Sequence, residues 1–453
     1  MNLKDKNILI IGMALSGISA AKLCLKKQAN VIVYDGKTKE QLVESIKLFD
    51  DIKPKFIFGQ FDNSILNNLD LIIISPGVPT DLPFVKKAYE IGIPVWSEIE
   101  FSYRLCNAPI VAITGTNGKT TTTTLVGNIV KAYYEDTFVV GNIGIPFSSI
   151  IEDINEESKI IAEISSFQLE TIDKFAPKVS AILNITPDHL NRHKTFENYI
   201  NAKLRICENQ QKDNYCIINY DNENCRNLSD KIKCNIIYFS KNPINCTGVY
   251  LKNEYVCSNI SGEEIQVIST DLLGENNVEN IMAAIAISIC MDIPIKIICK
   301  VISGFRGVAH RVEYVASING IKYFNDSKAT NEDAAINGIK LMKSNTILIG
   351  GGMDKGGSFD KWIQSFNGKV KGLILFGETA SIIESTAREN GFNLVYQVKN
   401  LKEAVDKANM LACDGENVLL SPACASWDMF KNYEERGDLF KHYVNELLIN
   451  SKL

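Results

Sequence analysis

The sequence predicts an α/β protein of three domains, and three observations carry that reading. At 453 residues, a chain with about 150 residues per domain holds roughly three. Short apolar runs alternate with helical patterns, the arrangement of parallel sheets covered by helices. Glycine-rich turns stand where strands end and helices begin, around residues 12–17, 115–118 and 350–357.

In the first unit, Asn7–Ile11 and Val31–Tyr34 read as strands around a helix from Ser16 to Lys27. Leu69–Ser75 is a further strand, ending in Ser75-Pro76-Gly77. Gly12-Met13-Ala14-Leu15-Ser16-Gly17 follows the first strand and opens the helix, and Asp35 ends the second strand. Such a turn offers backbone N–H groups and a helix N-terminus to a diphosphate, with the acid on a ribose or base edge. Ala14 takes the place of the middle glycine of a dinucleotide fingerprint, which disfavours a nicotinamide cofactor. A nucleotide-diphosphate site and a merely structural turn both stay open. Pro94 and Cys106-Asn107-Ala108-Pro109 bracket the first junction.

The second unit opens with Val111-Ala112-Ile113-Thr114-Gly115-Thr116-Asn117-Gly118-Lys119-Thr120-Thr121. A buried strand meets a glycine turn and then a helix, the layout of a phosphate loop. Backbone N–H groups would cradle phosphates, Lys119 would reach the outer ones, and the Thr120 hydroxyl suits Mg2+. Gly115 and Gly118 are closer together than in the common loop, so a tight turn with a solvated lysine is the alternative. Lys159–Glu163 and Val179–Asn184 read as strands, and Phe196–Gln210 as a helix. Glu163, at a strand end, is either a Mg2+ ligand or a capping or surface carboxylate. His189, in Asn184-Ile185-Thr186-Pro187-Asp188-His189, reads by itself as structural. Lys203 reads by itself as a solvated helix lysine. A β-rich stretch over roughly 215–270 and an apolar helix, Ile281–Cys290, close the unit.

The pattern resets around Phe305–His310. Strands follow near Lys322–Asn325, Thr346–Ile349, Gly372–Phe376 and Asn417–Leu420. Polar residues gather after them: Asn325-Asp326-Ser327-Lys328-Ala329-Thr330, the glycine loop around Lys355, and Ser421-Pro422-Ala423-Cys424-Ala425-Ser426-Trp427-Asp428. Strand ends of this kind are ligand edges in α/β sheets. Cys424 has no partner histidine placed by sequence, so a thiol nucleophile is disfavoured.

Composition is that of a globular protein, 45% hydrophobic and 22% charged, with net charge −5. With no long basic tract, nucleic acid is disfavoured as a partner. The first apolar run is short and reads as a strand rather than an export signal. No run approaches the ~18 apolar residues that span a membrane. Among twelve cysteines there is no C-x-x-C pair. Cys207, Cys216, Cys225 and Cys234 fit no zinc pattern. Free buried thiols in a reducing cytoplasm are the expectation.

Taken in order, these motifs resemble the Mur ligases, ATP-dependent amide ligases of peptidoglycan precursor synthesis, over nearly the whole chain. Gly-Thr-Asn-Gly-Lys-Thr-Thr, Glu163, Asp188-His189, Ala202-Lys203, His310-Arg311 and Asn-Asp326-Ser-Lys328-Ala-Thr330 carry the resemblance. Gly141-Asn142-Ile143-Gly144, the run 165–170, the run 421–433 and Glu435-Arg436-Gly437 look like the D-glutamate-adding member. The Asp-Asn-Pro-Arg run of the diamino-acid-adding members is absent.

The resemblance implies three domains: a Rossmann-like nucleotide-sugar domain over 1–97, a phosphate-loop ATPase domain over 98–304 and a Rossmann-like domain over 305–453. It implies that ATP drives D-glutamate onto UDP-N-acetylmuramoyl-L-alanine through an acyl phosphate, with Mg2+ at two sites. ATP would be held by Gly115, Thr116, Asn117, Gly118, Lys119, Thr120, Thr121, Asn277, Asn280, Arg311 and Asp326. Metal ligands would be Thr120, Glu163, His189 and a carbamylated Lys203, with Lys119, His189 and Lys203 serving catalysis. Ser16, Asp35, Gly77 and Asn142 would contact the UDP-sugar. Lys328, Thr330, Lys355, Ser426 and Tyr433 would surround D-glutamate. A monomer without nucleic-acid or membrane partners is expected. The chain departs from the pattern at Gly36, Asn276 and Tyr433, where the family favours a hydroxyl residue, histidine and phenylalanine. A folate-polyglutamate ligase, a dinucleotide oxidoreductase and a phosphate-loop switch are the competing readings.

Overall fold

The computed structural model describes residues 1–49, 54–269, 278–305, 307–354 and 356–450. They gather into two compact units, Met1–Phe305 and Arg306–Leu453.

The first unit holds two sheets. The N-terminal sheet comprises β1 (Asn7–Ile11), β2 (Asn30–Asp35), β3 (Lys55–Phe58), β4 (Leu71–Ile74) and β5 (Val95–Ser97). Their order is β3-β2-β1-β4-β5, all parallel. Ile8, Leu9 and Ile10 are wholly buried. A central parallel strand is covered on both faces, so it reads as an unbroken apolar run. The helix expected from Ser16 spans Leu15–Lys26. The order reverses between β1 and β4, so the turn after β1 and the loop after β4 face one crevice. Gly12, at φ +97°, lies there against Ser75, whose Oγ donates to the Gly12 carbonyl at 3.2 Å.

The second sheet comprises β6 (Ile110–Thr114), β7 (Thr137–Gly141), β8 (Lys159–Glu163), β9 (Val179–Ile182), β10 (Tyr215–Asn219), β11 (Asn235–Ser240), β12 (Gly248–Lys252), β13 (Tyr255–Ser258) and β14 (Ile265–Ser269). Among the described residues the order is β14-β13-β12-β11-β10-β9-β6-β8-β7, parallel except for the antiparallel pairings of β13 with β12 and with β14. Helices Lys119–Lys131 and Val278–Cys290 pack in one apolar cluster on it. The helix expected over Phe196–Gln210 ends sooner, at Leu204, and a 3-10 turn, Arg205–Cys207, follows. Arg205 donates to the carbonyls of Leu169, Glu170 and Ile172 at 2.8, 2.5 and 2.6 Å, which draws the chain away from a further helical turn.

These two sheets share an apolar cluster that includes Ile10, Ala21, Phe101, Phe147 and Ile160. Polar ties reinforce it. Ser148 donates its hydroxyl to Ser19 at 2.8 Å and its N–H to Glu98 at 2.5 Å. Arg192 donates to the Val78 carbonyl at 2.9 Å and to Glu170 at 2.7 Å.

The second unit has one sheet of β15 (Glu313–Ile318), β16 (Ile321–Asn325), β17 (Thr346–Gly350), β18 (Val370–Leu375), β19 (Val395–Gln397) and β20 (Asn417–Leu420). The order among the described residues is β15-β16-β20-β17-β18-β19, with β15 antiparallel and the others parallel. The loops after β16, β20 and β17 are thereby neighbours. Helix Tyr433–Asn450 runs back along this sheet, its Phe440 and Val444 buried with Tyr323 and Leu420.

All twelve cysteines are free, and Cys413 is the exposed one. Among the described residues no helix is long and apolar enough to cross a membrane.

Candidate active site

Strand β6 is buried throughout and ends at Thr114. Gly115 and Gly118 follow with φ of +155° and +82°, and Gly118 caps helix Lys119–Lys131. Side chains rarely adopt these angles. A Cβ on Gly118 would also overlap Asn280 Oδ1. The loop is clamped by Asn184, just beyond β9. Its Oδ1 accepts from Asn117 N–H at 2.8 Å, its Nδ2 donates to the Asn117 carbonyl at 3.1 Å, and its carbonyl accepts from Thr116 N–H at 2.9 Å. Lys119 folds across the loop, donating to the carbonyls of Gly115 and Thr116 at 2.8 and 2.9 Å. Thr120 is buried at the helix start, and Thr121 follows it. Thr122 donates to Asn280 Oδ1 at 3.3 Å, which brings the expected ATP contact Asn280 to the loop.

Glu163 ends β8, only 1% exposed. Asn142 fixes it twice: its Nδ2 donates to Oε1 at 2.7 Å and its N–H donates to the Glu163 carbonyl at 2.8 Å. The other oxygen, Oε2, is buried without a hydrogen-bond partner. A buried carboxylate oxygen in that state is costly unless a cation or donor arrives, so the donor set fits a hard cation. Asn142, expected on the UDP-sugar, thus also orients this carboxylate.

Lys203 corrects its isolated reading as a solvated lysine. It is 1% exposed. Its Nζ donates to the Gly115 carbonyl at 2.9 Å and to Thr114 Oγ1 at 3.4 Å, and lies 4.7 Å from the Tyr199 ring centroid. Burial, and then the charge of Lys119, hold its pKa well below the usual lysine range. A neutral amine of this kind is nucleophilic, as carbamate formation requires. Helix Phe196–Leu204 turns Tyr199 the same way, and the Tyr199 hydroxyl meets Thr116 Oγ1 at 3.1 Å.

His189 is exposed, at φ +51°, with the Phe167 ring tilted against it at 5.0 Å between centroids and Asp188 Oδ2 3.5 Å from its Nε2. Among the described residues no three His, Cys, Asp or Glu side chains gather as a metal cluster. Mg2+ characteristically takes one or two carboxylates and completes its shell with phosphates and water. Glu163 and Thr120 would suit that demand, and so would Lys203 if carbamylated.

In the N-terminal sheet, Asp35 secures the glycine turn. Its Oδ2 accepts from Met13 N–H at 2.9 Å and its Oδ1 from Lys37 N–H at 3.0 Å. Ser16 is half-buried in the first helical turn, and Gly77 is exposed in the loop after β4.

In the second unit, His310 is buried at φ +62° and meets Asn325 Nδ2 at 3.0 Å. Burial lowers its pKa below the usual histidine value. Its carbonyl accepts from Lys328 N–H at 3.0 Å. Arg311 beside it is exposed. Asp326 is buried and accepts from Ser421 Oγ at 2.8 Å and Val312 N–H at 3.2 Å. Burial raises its pKa to about 7. Lys328 lies 5.8 Å from the Tyr433 ring centroid. Thr330 is half-buried, and Ser426 is 2% exposed. Cys424 is buried, its thiol raised to about 11, which agrees with its rejection as a nucleophile. Asn277 and Lys355, and the departure at Asn276, lie outside the described residues.

Residue-type reasoning did not single out Asn184, Tyr199 or Arg192. A polar residue at the end of an apolar strand was the available signal for Asn184. Tyr199, within a short helix, and Arg192, within a single helical turn, carry none.

Patterns described as "Mur ligase MurD-like, N-terminal domain", "Mur ligase middle domain" and "Mur ligase, glutamate ligase domain" match residues 6–97, 113–288 and 310–424. The chain is 46% identical over 453 residues to the UDP-N-acetylmuramoylalanine--D-glutamate ligase of Lachnoclostridium phytofermentans, covering 99% of each chain. It is 46% identical over 454 residues to the protein of that name from Clostridioides difficile, covering 99% of this chain and 100% of the other.

The chain belongs to the Mur ligase family.

Members of that family are ATP-dependent enzymes that form amide bonds. Among solved structures, a MurF ligase from Thermotoga maritima in complex with ADP aligns with TM-score 0.53 at 13% identity, covering 92% of this chain and 95% of the other. A UDP-N-acetylmuramate-alanine ligase, MurC, from the same organism aligns with TM-score 0.52 at 16% identity, covering 97% and 99%. At these identities the likeness is one of fold. The three Mur ligase domains fall as two in the first compact unit and one in the second.

Proposed function

We propose that this Mur ligase joins D-glutamate to UDP-N-acetylmuramoyl-L-alanine in peptidoglycan precursor synthesis, releasing ADP and phosphate. One observation carries the chemistry: the glycine loop, the unpartnered Glu163 oxygen and the buried Lys203 amine stand together at the ends of β6 and β8. The whole-chain identity to ligases of that name supports the choice of substrates.

A carboxylate is a poor electrophile because its oxygen leaves badly. The γ-phosphoryl of ATP, moved onto the alanyl carboxylate, converts that oxygen into a phosphate leaving group. The neutral D-glutamate amine attacks the carbonyl carbon, a tetrahedral intermediate forms, and phosphate departs as the amine sheds its proton. Two anions meet in the first step, so charge must be neutralised there. Lys119 would leave its loop carbonyls for the outer phosphates. Asn184 and Asn280 keep the loop and its following helix in register. Glu163, aimed by Asn142, and Thr120 would hold one Mg2+, while carbamylated Lys203 and His189 would hold a second. Mg2+, when bound, would supply charge neutralisation for the phosphoryl transfer.

The Asp35-braced turn, Ser16 and Gly77 would receive the UDP-sugar. Gly115 to Thr121, Asn277, Asn280, Arg311 and Asp326 would hold ATP. Lys328, Thr330, Lys355, Ser426 and Tyr433 would meet the two carboxylates of D-glutamate, where ammonium and hydroxyl donors suit anionic acceptors. Domain limits of 1–97, 98–304 and 305–453, a monomeric state and a cytoplasmic location belong to this reading. Release of ADP should require both substrates and prefer D-glutamate over L-glutamate, L-alanine and diaminopimelate. Preference for any of the other three would refute the assigned amino acid.

A further inference from the structure

We propose that Arg436 is a positioning residue for the incoming amino acid, its buried guanidinium tying together the loops after β16 and β20 that would carry D-glutamate contacts. This inference rests on the function proposed above.

Arg436 lies on helix Tyr433–Asn450 and is completely buried. Its Nε donates to Ser327 Oγ at 2.9 Å. One terminal nitrogen donates to the carbonyls of Cys424 and Ala425 at 3.1 and 3.3 Å. The other donates to the carbonyls of Ser327 and Cys424 at 2.9 and 3.1 Å. Ser327 belongs to the loop after β16, next to Lys328. Cys424 and Ala425 belong to the loop after β20, next to Ser426. The loop after β17 closes on the same place. Met353 N–H donates to the Ala425 carbonyl at 2.9 Å, and a Cβ on Gly352 would stand 3.3 Å from the Arg436 fork and overlap that carbonyl. Tyr433, one turn earlier on the helix, accepts from Ser327 Oγ through its carbonyl at 2.8 Å. One side chain therefore sets the backbone on which Lys328, Ser426 and Tyr433 stand, and braces the loop that leads to Lys355.

The guanidinium brings a charge to this place as well as a set of donors. Every acceptor of Arg436 is neutral, and among the described residues no carboxylate hydrogen-bonds to it. Burial lowers its pKa to about 10, with Asp428 acting in the opposite direction. Keeping such a cation buried costs stability that an apolar side chain of similar volume would not. Beneath loops meant for a dianionic amino acid, the same charge lowers the potential energy of the ligand. The planar fork also fixes several carbonyls at once, which an ammonium cannot do.

The test compares wild type with Arg436→Lys, Arg436→Met and Arg436→Ala in three-substrate steady-state kinetics, with melting curves alongside. Arg436→Met is expected to raise KM for D-glutamate about tenfold or more while KM for ATP and for the UDP-sugar stays within about threefold. Arg436→Lys should fall between, and methylguanidinium should recover part of the D-glutamate affinity of Arg436→Ala. An unchanged KM for D-glutamate in Arg436→Lys or Arg436→Met, with only melting temperature and active fraction reduced, would overturn the proposal. If the methionine and alanine variants do not fold, the lysine variant decides by the same ratio. Wild type inert toward D-glutamate marks failure of the proposed function instead, visible before any variant is made.

Discussion

Replacing Lys203 by methionine should stop turnover and leave the fold nearly as stable as before. The opposed outcomes follow from the geometry. Lys203 makes two hydrogen bonds, to the Gly115 carbonyl and Thr114 Oγ1, worth about 1 kcal/mol each. The Gly115 carbonyl keeps a second donor in Lys119, so its loss is partial. On the other side, a 1%-exposed amine gives way to an apolar chain of similar size, which relieves desolvation. The balance lies within about 1–2 kcal/mol, a few degrees in melting temperature. Catalysis has no such compensation. Loss of the Mg2+ ligand that a carbamylated Lys203 would supply should raise the barrier by about 4 kcal/mol, roughly a thousandfold in kcat. Coupled ADP release gives the rate, and differential scanning calorimetry gives the stability. Lys203→Ala, which leaves space, should regain measurable turnover with formate or acetate. A methionine variant turning over within about threefold of wild type would remove Lys203 from the chemistry. A melting temperature lower by about ten degrees or more would show that the amine supports the fold instead.

Three further outcomes are expected. Lys119→Ala should lower kcat by about a hundredfold or more with little change in melting temperature, since its structural bonds are to loop carbonyls near solvent; turnover near wild type would discard the phosphate-loop role. Asn184→Ala removes two side-chain hydrogen bonds from Asn117 and should raise KM for ATP about tenfold while sparing KM for D-glutamate; equal effects on both would deny it a loop-specific role. Asp326 carries a carboxyl raised from 3.8 to about 7, so between those values the folded protein holds a proton that the unfolded chain has released. Stability should therefore fall as pH rises from about 4 to 7 and level off above, and Asp326→Asn should flatten that part of the denaturation profile; parallel profiles would refute the buried-acid account.

The parallel strands were legible because burial on both faces makes them continuous apolar runs: β1, β8 and β20 fall where Asn7–Ile11, Lys159–Glu163 and Asn417–Leu420 were read. Edge strands were not. β3, β15 and β19 are partly exposed and mix polar with apolar residues. The phosphate loop could be read because only glycine suits its backbone angles. Lys203 could not, since a lysine within a short amphipathic helix looks the same whether water or a neighbouring strand covers it. Its covering comes from Thr114, Gly115 and Tyr199, which local pattern does not specify. The contact of Asn142 with Glu163 was hidden for the same reason: the two are distant in sequence and close only because β7 pairs with β8.

Thiol placement has a practical consequence. Cys24, Cys225 and Cys290 are pushed up to about 12 by burial, and thiols held protonated and out of water react slowly with alkylating agents. Cys413 alone is exposed. It precedes β20 at its N-terminal end, opposite the strand end that leads to Ser426. A maleimide dye applied to the native enzyme should therefore attach first at Cys413, remote along that strand from Ser426, and more slowly at the half-buried Cys106, Cys246 and Cys299. The unmodified sequence already contains a preferred handle for fluorescence or surface tethering, and brief labelling should favour it.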